Sequence, residues 1–529
     1  MPAQLVLGQA VVNSCLELGI WVCLSHPVNF TDRANKKKNI QMNTCEPTPI
    51  SSRLELFVDD TLIESLAGQA SLRLHRPTIK DLALVTDRPW EGNMCGGYKT
   101  CFRDGPIFRM YYQAWHFATV EENGKAKLEG GAPVRIGYAE SDDGIHWRRP
   151  SLGLFEFDGS TDNNLVFMGT GTDNKGIHGF APFKDPNPTC PSEARYKALG
   201  ANELNWPLKL YALQSPDGLH WSLIQEEPVM TEGTFDSQNL AFWDSLRGEY
   251  RAYIRHVSGN FFRGIMTCTS PDFVHWTKPE WLEYPGAPTE QLYTNQVSPY
   301  YRAPHLFLGF PTRYTERPWS PTIEALPELE HRRMRAKVSE RYGAAVTDGQ
   351  FMASRDGRTF KRWDEAFIRP GLRPVGSWAY GDNYQGWGLI ETASDIAGAP
   401  NELSMFVNEG YWRGAANAIR RYTLRIDGFV SLHAPLGGGE LTTKPLTFDG
   451  RRLLLNISTS AGGGARVEVQ SPEGRPLDGF SLDDCTEIVG DALDFPVQWR
   501  GDLATLAGRP VRLRFVLRDA DLYSYRFGD

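Results

Sequence analysis

A seven-residue turn recurs along the chain and limits what it can fold into. Ser141-Asp142-Asp143-Gly144-Ile145-His146-Trp147 and Ser215-Pro216-Asp217-Gly218-Leu219-His220-Trp221 agree at five of seven positions. Ser270-Pro271-Asp272-Phe273-Val274-His275-Trp276 loses the glycine, and Ser354-Arg355-Asp356-Gly357-Arg358-Thr359-Phe360 ends in a different ring. The copies start 74, 55 and 84 residues apart, which suits four-stranded repeats enlarged by loops. The residue set is that of a tight hairpin. The Asp carboxylate accepts from N–H groups of the turn, the glycine takes positive φ, and the ring packs under the turn between neighbouring sheets. An apolar or aromatic strand precedes each copy, at 134–139, 208–213, 264–269 and 349–353. A degenerate fifth unit at 422–431 sets Asp427-Gly428 between two alternating strands. Five units predict five blades, with the four turn aspartates in a structural role.

Composition agrees with an all-β class. Aromatics make up 12% of the chain, with 51 Gly and 35 Pro, so ring residues and turn formers outweigh long helical patterns. One short helix is expected in an insertion at 322–339, where the basic cluster His331, Arg332, Arg333, Arg335, Lys337 reads as a solvated face. Beyond Gly437-Gly438-Gly439 the alternating stretches 451–457, 465–470 and 511–517 predict a second, smaller β domain. The expected division is a leader at 1–52, a five-bladed β-propeller at 53–436 and a C-terminal β-sandwich at 437–529.

The formal charge of −8 leaves no basic surplus for a nucleic-acid partner. The most apolar segment, 11–24, is interrupted by Glu17, which argues against a spanning helix, and no Lys or Arg precedes it as in an export signal. Compartment is left open, with secretion or the periplasm as alternatives. Eight cysteines show neither CxxC pairs nor metal-ligand spacing. No cofactor, metal or obligate protein partner is implied, and spacing does not decide on a structural cation in the channel.

The repeated turns resemble the Asp-box of sialidases and related β-propellers. A propeller followed by a small β module is similar to the layout of the five-bladed glycoside hydrolases that act on fructans and arabinans. Candidate acids in such a fold recur at the starts of apolar strands: Asp59 and Asp60, Asp236, Glu290 and Asp348. The stretch from Asp236 to Asp244, followed by Tyr250 to Arg255, resembles the innermost hairpin of family 43 and family 32 enzymes. That resemblance implies Asp236 as the residue that orients the sugar, Glu290 as the acid, and Asp59 or Asp60 as nucleophile or base. Glycoside cleavage needs one carboxyl protonated and one ionised, with environments that separate their pKa values.

Sugar recognition calls for flat rings and planar donors. Asn239 and the cluster from Trp378 to Trp387, with Asp382, Tyr384 and Trp387, read as a binding wall, Glu391 as a reserve acid, and Arg255 and Arg313 as clamps for an anionic sugar. The reading is a glycoside hydrolase with a carbohydrate substrate. The alternatives are a non-catalytic carbohydrate-binding propeller and a sialidase-like enzyme.

Overall fold

The computed structural model describes residues 46–529 apart from 124, 131–132, 204–205, 260, 373–380 and 413–416. Five antiparallel sheets follow one another as blades. Blade 1 runs outward through Lys99–Asp104, Ile107–Ala114, Arg135–Ser141 and Leu165–Phe167. Blade 2 is His178–Lys184, Tyr196–Ala201, Leu210–Ser215 and Ser222–Leu223, and blade 3 is Leu240–Asp244, Glu249–Ser258, Phe262–Ser270 and Glu280–Trp281. Blade 4 carries its two inner strands in broken pieces, Gln291–Leu292 with Ser298–Tyr300 and Ala303–Gly309 with Thr312–Thr315, then Val346–Ser354 and Lys361–Ile368. Blade 5 supplies Ile390–Thr392, Glu402–Glu409 and Asn417–Arg425, and takes its outermost strand, Thr78–Thr86, from the start of the chain. This pairing closes the ring between chain start and chain end.

The recurring turns clamp blade to blade. In each, the Asp carboxylate accepts two backbone N–H bonds, as Asp217 does from Leu219 and His220 at 2.8 and 2.9 Å. The neighbouring blade then reaches the turn. Tyr111 of blade 1 donates to Gly218 O at 2.9 Å, and Tyr253 of blade 3 donates to Gly357 O at 2.8 Å. A Cβ at Gly218, where φ is +81°, would sit 2.7 Å from both the Arg109 guanidinium and the Tyr111 hydroxyl, so sequence and packing both demand glycine there. Blade 3 fills the same place with Phe273 at φ +70°, fully buried against Phe183 of blade 2.

Two boundaries differ from expectation. Glu55–Leu56, Ile63–Gly68 and Ser71–Leu74 pair with late strands rather than with a blade. Together with Val430–Ala434, Gly439–Thr443, Arg452–Gln470, Asp491–Pro496 and Arg512–Gly528 they form one eight-stranded sheet. The blades therefore span 78–425 rather than 53–436. The Asp427-Gly428 turn does not join two strands of one blade but hands the chain to this terminal sheet. Asp427 departs from its counterparts: its carboxylate accepts from Tyr300 of blade 4 at 2.6 Å and from Ser524 of the terminal sheet at 2.9 Å, while the Gly428 N–H goes to Arg425 O. Alternation marks a strand but not its partner sheet, which explains the misplacement. The terminal sheet shares a continuous core with blades 4 and 5, in which Phe351 stacks on Phe429 at 5.3 Å.

Strand direction fixes two ends of the propeller. Inner strands start at one end, here the mouth, and run to the other, where the third strand of a blade meets its clamped turn. In blade 3, Asp244 pairs with Glu249 and Tyr250 with Ser270, so the turn lies a full strand away from the residues before Leu240, about 17 Å for five residues.

Candidate functional site at the propeller mouth

One residue per blade, near the start of the inner strand, gathers at the mouth end: Tyr98, His178, Asp236, Tyr293 and Tyr384, all but Asp236 buried. Their rings meet in pairs. Tyr98 and His178 centroids lie 5.9 Å apart, Tyr293 and Tyr384 5.3 Å, and Trp115 and Tyr411 extend the wall, at 5.4 Å from His178 and 6.2 Å from Tyr384.

Asp236 is presented by strained backbone. Phe235 before it is fully buried at φ +48°, a conformation rare for a bulky residue, and two successive N–H bonds of 2.7 Å span 234–237. Asn239 locks this loop: its amide donates to the carbonyls of Phe235 and Ser237 and accepts from Arg255 N–H. The Asp236 carboxylate lies 3.3 Å from His178 Nε2, near enough for an ion pair but not aligned for a hydrogen bond, and 3.7 Å from the Arg255 guanidinium, which also donates to Asp236 O. Burial would raise its pKa, but His178, Arg255 and Arg263 outweigh that and hold it below the usual range. The carboxylate is 36% exposed, so it remains reachable from the mouth while ionised.

Below the mouth the axis is filled with amides. Gln296 donates to Gln238 Oε1 at 2.8 Å and to Gln385 O at 2.9 Å, while Gln238 donates to Thr100 at 3.1 Å. Beside them the buried amine of Lys99 joins blade 1 to blade 5 through Tyr384 O at 2.8 Å, and burial pulls its pKa down to about 7. Among the described residues, no group of three His, Cys, Asp or Glu could hold a metal ion.

The other predicted residues fall into three places. Glu290, Arg313 and Asp348 meet at the mouth end of blade 4, around a cavity of about 280 Å³. Arg313 grips Asp348 with two bonds of 2.9 and 2.7 Å and Glu290 with one of 2.9 Å; Gln350 and Arg362 take the other Glu290 oxygen at 2.9 Å each. Glu290 thus turns toward the outer strands of its own blade, and no described contact joins it to Asp236. Burial raises the Asp348 pKa against the pull of Arg313. Asp382 is buried and accepts from Tyr411 N–H at 2.9 Å, so it braces the wall.

Asp59 and Asp60 lie at the wrong end for a partnership with Asp236. Asp59 is paired with Arg355 of the blade 4 turn at 2.6 Å, and Asp60 is exposed beside Lys361. The reason is their place in the strand order: they belong to the terminal segment, not to a first blade. Trp387 and Glu391 also lie toward the turn end, lining a cavity of about 650 Å³ with Phe183, Tyr300 and Tyr301. This cavity is roomier than anything around Asp348, yet its acids are engaged: Asp185 by Lys197, Tyr250 and Asn187, and Glu391 by Tyr301 and Asn401. Trp378 lies outside the described residues.

Sequence reasoning missed His178, Tyr98, Tyr293, Tyr411 and Arg263. The sequence expectation looks for carboxylates at strand starts, whereas the mouth repeats a position, not an acid. The basic cluster at 331–337 also differs from the expected solvated face. Pro321–Glu324, Leu329–Ala336 and Glu340–Ala344 form three short helices, and Arg332 and Arg335 are fully buried while Arg333 and Lys337 are exposed.

No protein-family model matches the chain, and no curated protein matches it in sequence. Solved structures similar to it include a GH32 β-fructofuranosidase from Bombyx mori, at 9% identity and a TM-score of 0.38, covering 86% of this chain and 94% of that one. A fructofuranosidase from Schwanniomyces occidentalis complexed with fructosylnystose matches at 12% identity and 0.38, covering 85% and 96%. A thermostable family-43 glycoside hydrolase matches at 12% and 0.38, covering 65% and 95%. The architecture itself rests on the strand pairing described above.

Proposed function

We propose that this protein binds a carbohydrate at the propeller mouth and hydrolyses a glycosidic bond there, with Asp236 as the ionised carboxylate. The observation that carries this is the strained, partly exposed Asp236, its charge supported by Arg255 and its surroundings lined by Tyr98, Tyr293, Tyr384, Tyr411 and Trp115. Such a site offers what hydrolysis asks of one partner: a carboxylate that stays charged beside the sugar ring, able to activate water or stabilise a positive transition state. His178, 3.3 Å from Asp236, is its partner on the same side of the mouth.

A second reading is a carbohydrate-binding propeller without turnover. It is favoured by Glu290, both of whose oxygens are taken by Arg313, Arg362 and Gln350, so that neither is offered to a glycosidic oxygen. Release of reducing sugar from a panel of aryl glycosides and polysaccharides separates the two. Activity lost in Asp236→Asn supports hydrolysis at the mouth. Saturable glycan binding with no product over long incubation establishes the binding reading instead.

A further inference from the structure

The cavity of about 650 Å³ toward the turn end lies apart from the mouth and has the build of a ligand site. Four blades supply its wall, through residues 100–103, 182–186, 298–301 and 387–391 in or beside their inner strands. Thr100, the lining residue nearest the mouth on the blade 1 strand, accepts from Gln238 at 3.1 Å, so the axial amides cap the cavity on that side.

Four rings face it: Phe183 from blade 2, Tyr300 and Tyr301 from blade 4, and Trp387 from blade 5. Each is held in place. Trp387 donates Nε1 to Val297 O at 3.0 Å, and its backbone bridges to blade 1 through Lys99 O and the Cys101 N–H at 2.9 and 2.8 Å. Phe183 packs edge-on to Trp387 at 6.4 Å. Tyr300 donates to Asp427 at 2.6 Å, and Tyr301 lies edge-on to Tyr300 at 5.1 Å with its hydroxyl on Glu391. Three prolines and three aliphatic side chains complete the apolar wall. Fixed rings around a concave space accept a flat aromatic body, and rings already held cost little to order on binding.

The charges at its edge decide the sign of such a ligand. Its two acids are engaged: Asp185 by Lys197, Tyr250 and the Asn187 N–H, and Glu391 by Tyr301 and Asn401. The cations are less fully matched. Lys184 shares Asp104 with Arg109, at 2.6 and 2.7 Å, so one carboxylate answers two charges. Arg103 is exposed, donates Nε to Gly105 O at 3.1 Å, and meets no carboxylate among the described residues. Arg103, Arg109, Lys184 and Lys197 thus stand against Asp104, Asp185 and Glu391, one positive charge in excess. A guanidinium with its fork free is suited to a carboxylate, which it grips with two parallel bonds. We propose that the turn-end cavity binds an aromatic carboxylate, its ring system among the four rings and its acid on Arg103. This site does not depend on the carbohydrate reading of the mouth.

The test is calorimetric titration of the whole protein with 2-naphthoate, its neutral counterpart 2-naphthylmethanol, and decanoate as an aliphatic acid. 2-Naphthoate is expected to bind with a Kd of about 1 mM or tighter, about tenfold more tightly than the alcohol and more tightly than decanoate. Raising salt should weaken naphthoate and leave the alcohol unchanged. Arg103→Gln, at an exposed position, should bring naphthoate to the level of the alcohol. Leu389→Trp, which fills the cavity from its partly buried edge, should remove both, and Asp236→Asn at the mouth should remove neither. No binding of naphthoate, or binding unchanged in Leu389→Trp, overturns the site. Equal binding of acid and alcohol overturns the role of Arg103, and decanoate binding as tightly as naphthoate overturns the aromatic class. The comparisons among the three ligands need no variant.

Discussion

The two ends of the propeller handle carboxylates in opposite ways. At the turn end, Asp143, Asp217 and Asp272 are satisfied by their own turns. Burial would raise each pKa, but N–H groups two and three residues on, the following His ring and the preceding Ser hydroxyl hold all three well below the usual range. At the mouth, Asp236 owes its low pKa to side chains that arrive from elsewhere: His178 from blade 2, and Arg255 and Arg263 from strands that follow it. A carboxylate answered locally is finished chemically and can only hold structure. Asp236, answered by distant side chains, is assembled by the fold and keeps a side chain 36% exposed, whereas Asp427, also answered from a distance, is fully buried and holds structure.

The sharpest way to break this contrast is to neutralise one carboxylate at each end. Asp236→Asn keeps the shape of the loop, since the Asn239 bonds remain, and should cut turnover per folded molecule by about 10²–10⁴, with some loss of stability as Arg255 and Arg263 lose their ionised partner. Asp217→Asn should lower stability alone, leaving turnover per folded molecule intact. An Asp236→Asn protein that retains full activity would remove the mouth from the chemistry. Next in size is Arg355→Ala. Arg355 joins the blade 4 turn to buried Glu55 at 3.0 Å and to Asp59 at 2.6 Å, and burial of Glu55 is overcome by His305, Arg355 and Arg53, which bring its pKa down to about 2. Glu55 keeps Arg53 and His305, so losing Arg355 should cost about 1.5–3 kcal/mol in denaturant unfolding, and a cost near zero would show the terminal sheet to be held by its apolar core alone.

The same locality decides how much could be read from the sequence. Asp143, Gly144 and Trp147 sit within one short stretch, so the clamped turns, their number and the all-β class were legible. The loop of Asp236 is local, but its charge is not: Ser237 donates to Tyr293 O and Gln238 to Thr100, and the carboxylate is met by His178 and Arg255 instead. What required coordinates was every property that depends on which strand meets which. Asp59 and Asp60 looked like a first-blade pair, yet strands 55–74 join the terminal sheet. Glu290 stood at an inner-strand start like Asp236, yet Arg313 and Arg362 claim it. Arg332 and Arg335 looked like surface charge because eight helical residues carry too little pattern to show which face is covered.

Smaller effects test the turn end by pH. A folded pKa below the unfolded value, about 3.9 for Asp, means that these carboxylates stabilise the fold above that pH and lose their contribution as pH falls through the folded value. These carboxylates should therefore add no slope to the unfolding midpoint from neutrality to about pH 5 and a fall below about pH 4. In Asp217→Asn part of that fall should disappear, because one of the titrating groups is gone. An acid limb unchanged in this variant would show that other carboxylates dominate it. Gly218→Ala should lower stability by about 1–3 kcal/mol at every pH alike, since its cost is steric, from positive φ and the 2.7 Å approach of Tyr111, and carries no proton.

The smallest effect is the one expected of Lys337, and it sharpens the comparison at the mouth itself. Lys337 and Glu121 are 58% and 57% exposed, whereas Arg332 and Arg335 on the same helix are fully buried. An exposed pair gains little, because water already solvates both charges and two long side chains must be ordered to make it, so Lys337→Ala should change stability by less than about 0.5 kcal/mol. If the insertion is held by its buried face, turnover and sugar binding should be unaffected too. A Lys337→Ala protein that stays stable but loses sugar affinity would locate the hold on this insertion at its rim, with the Glu121 contact setting the position of Arg335, which lies over Trp412 and within electrostatic reach of Tyr411 in the mouth wall. The buried arginines would then be placed by a surface charge, reversing the order in which the two kinds of contact are ranked here.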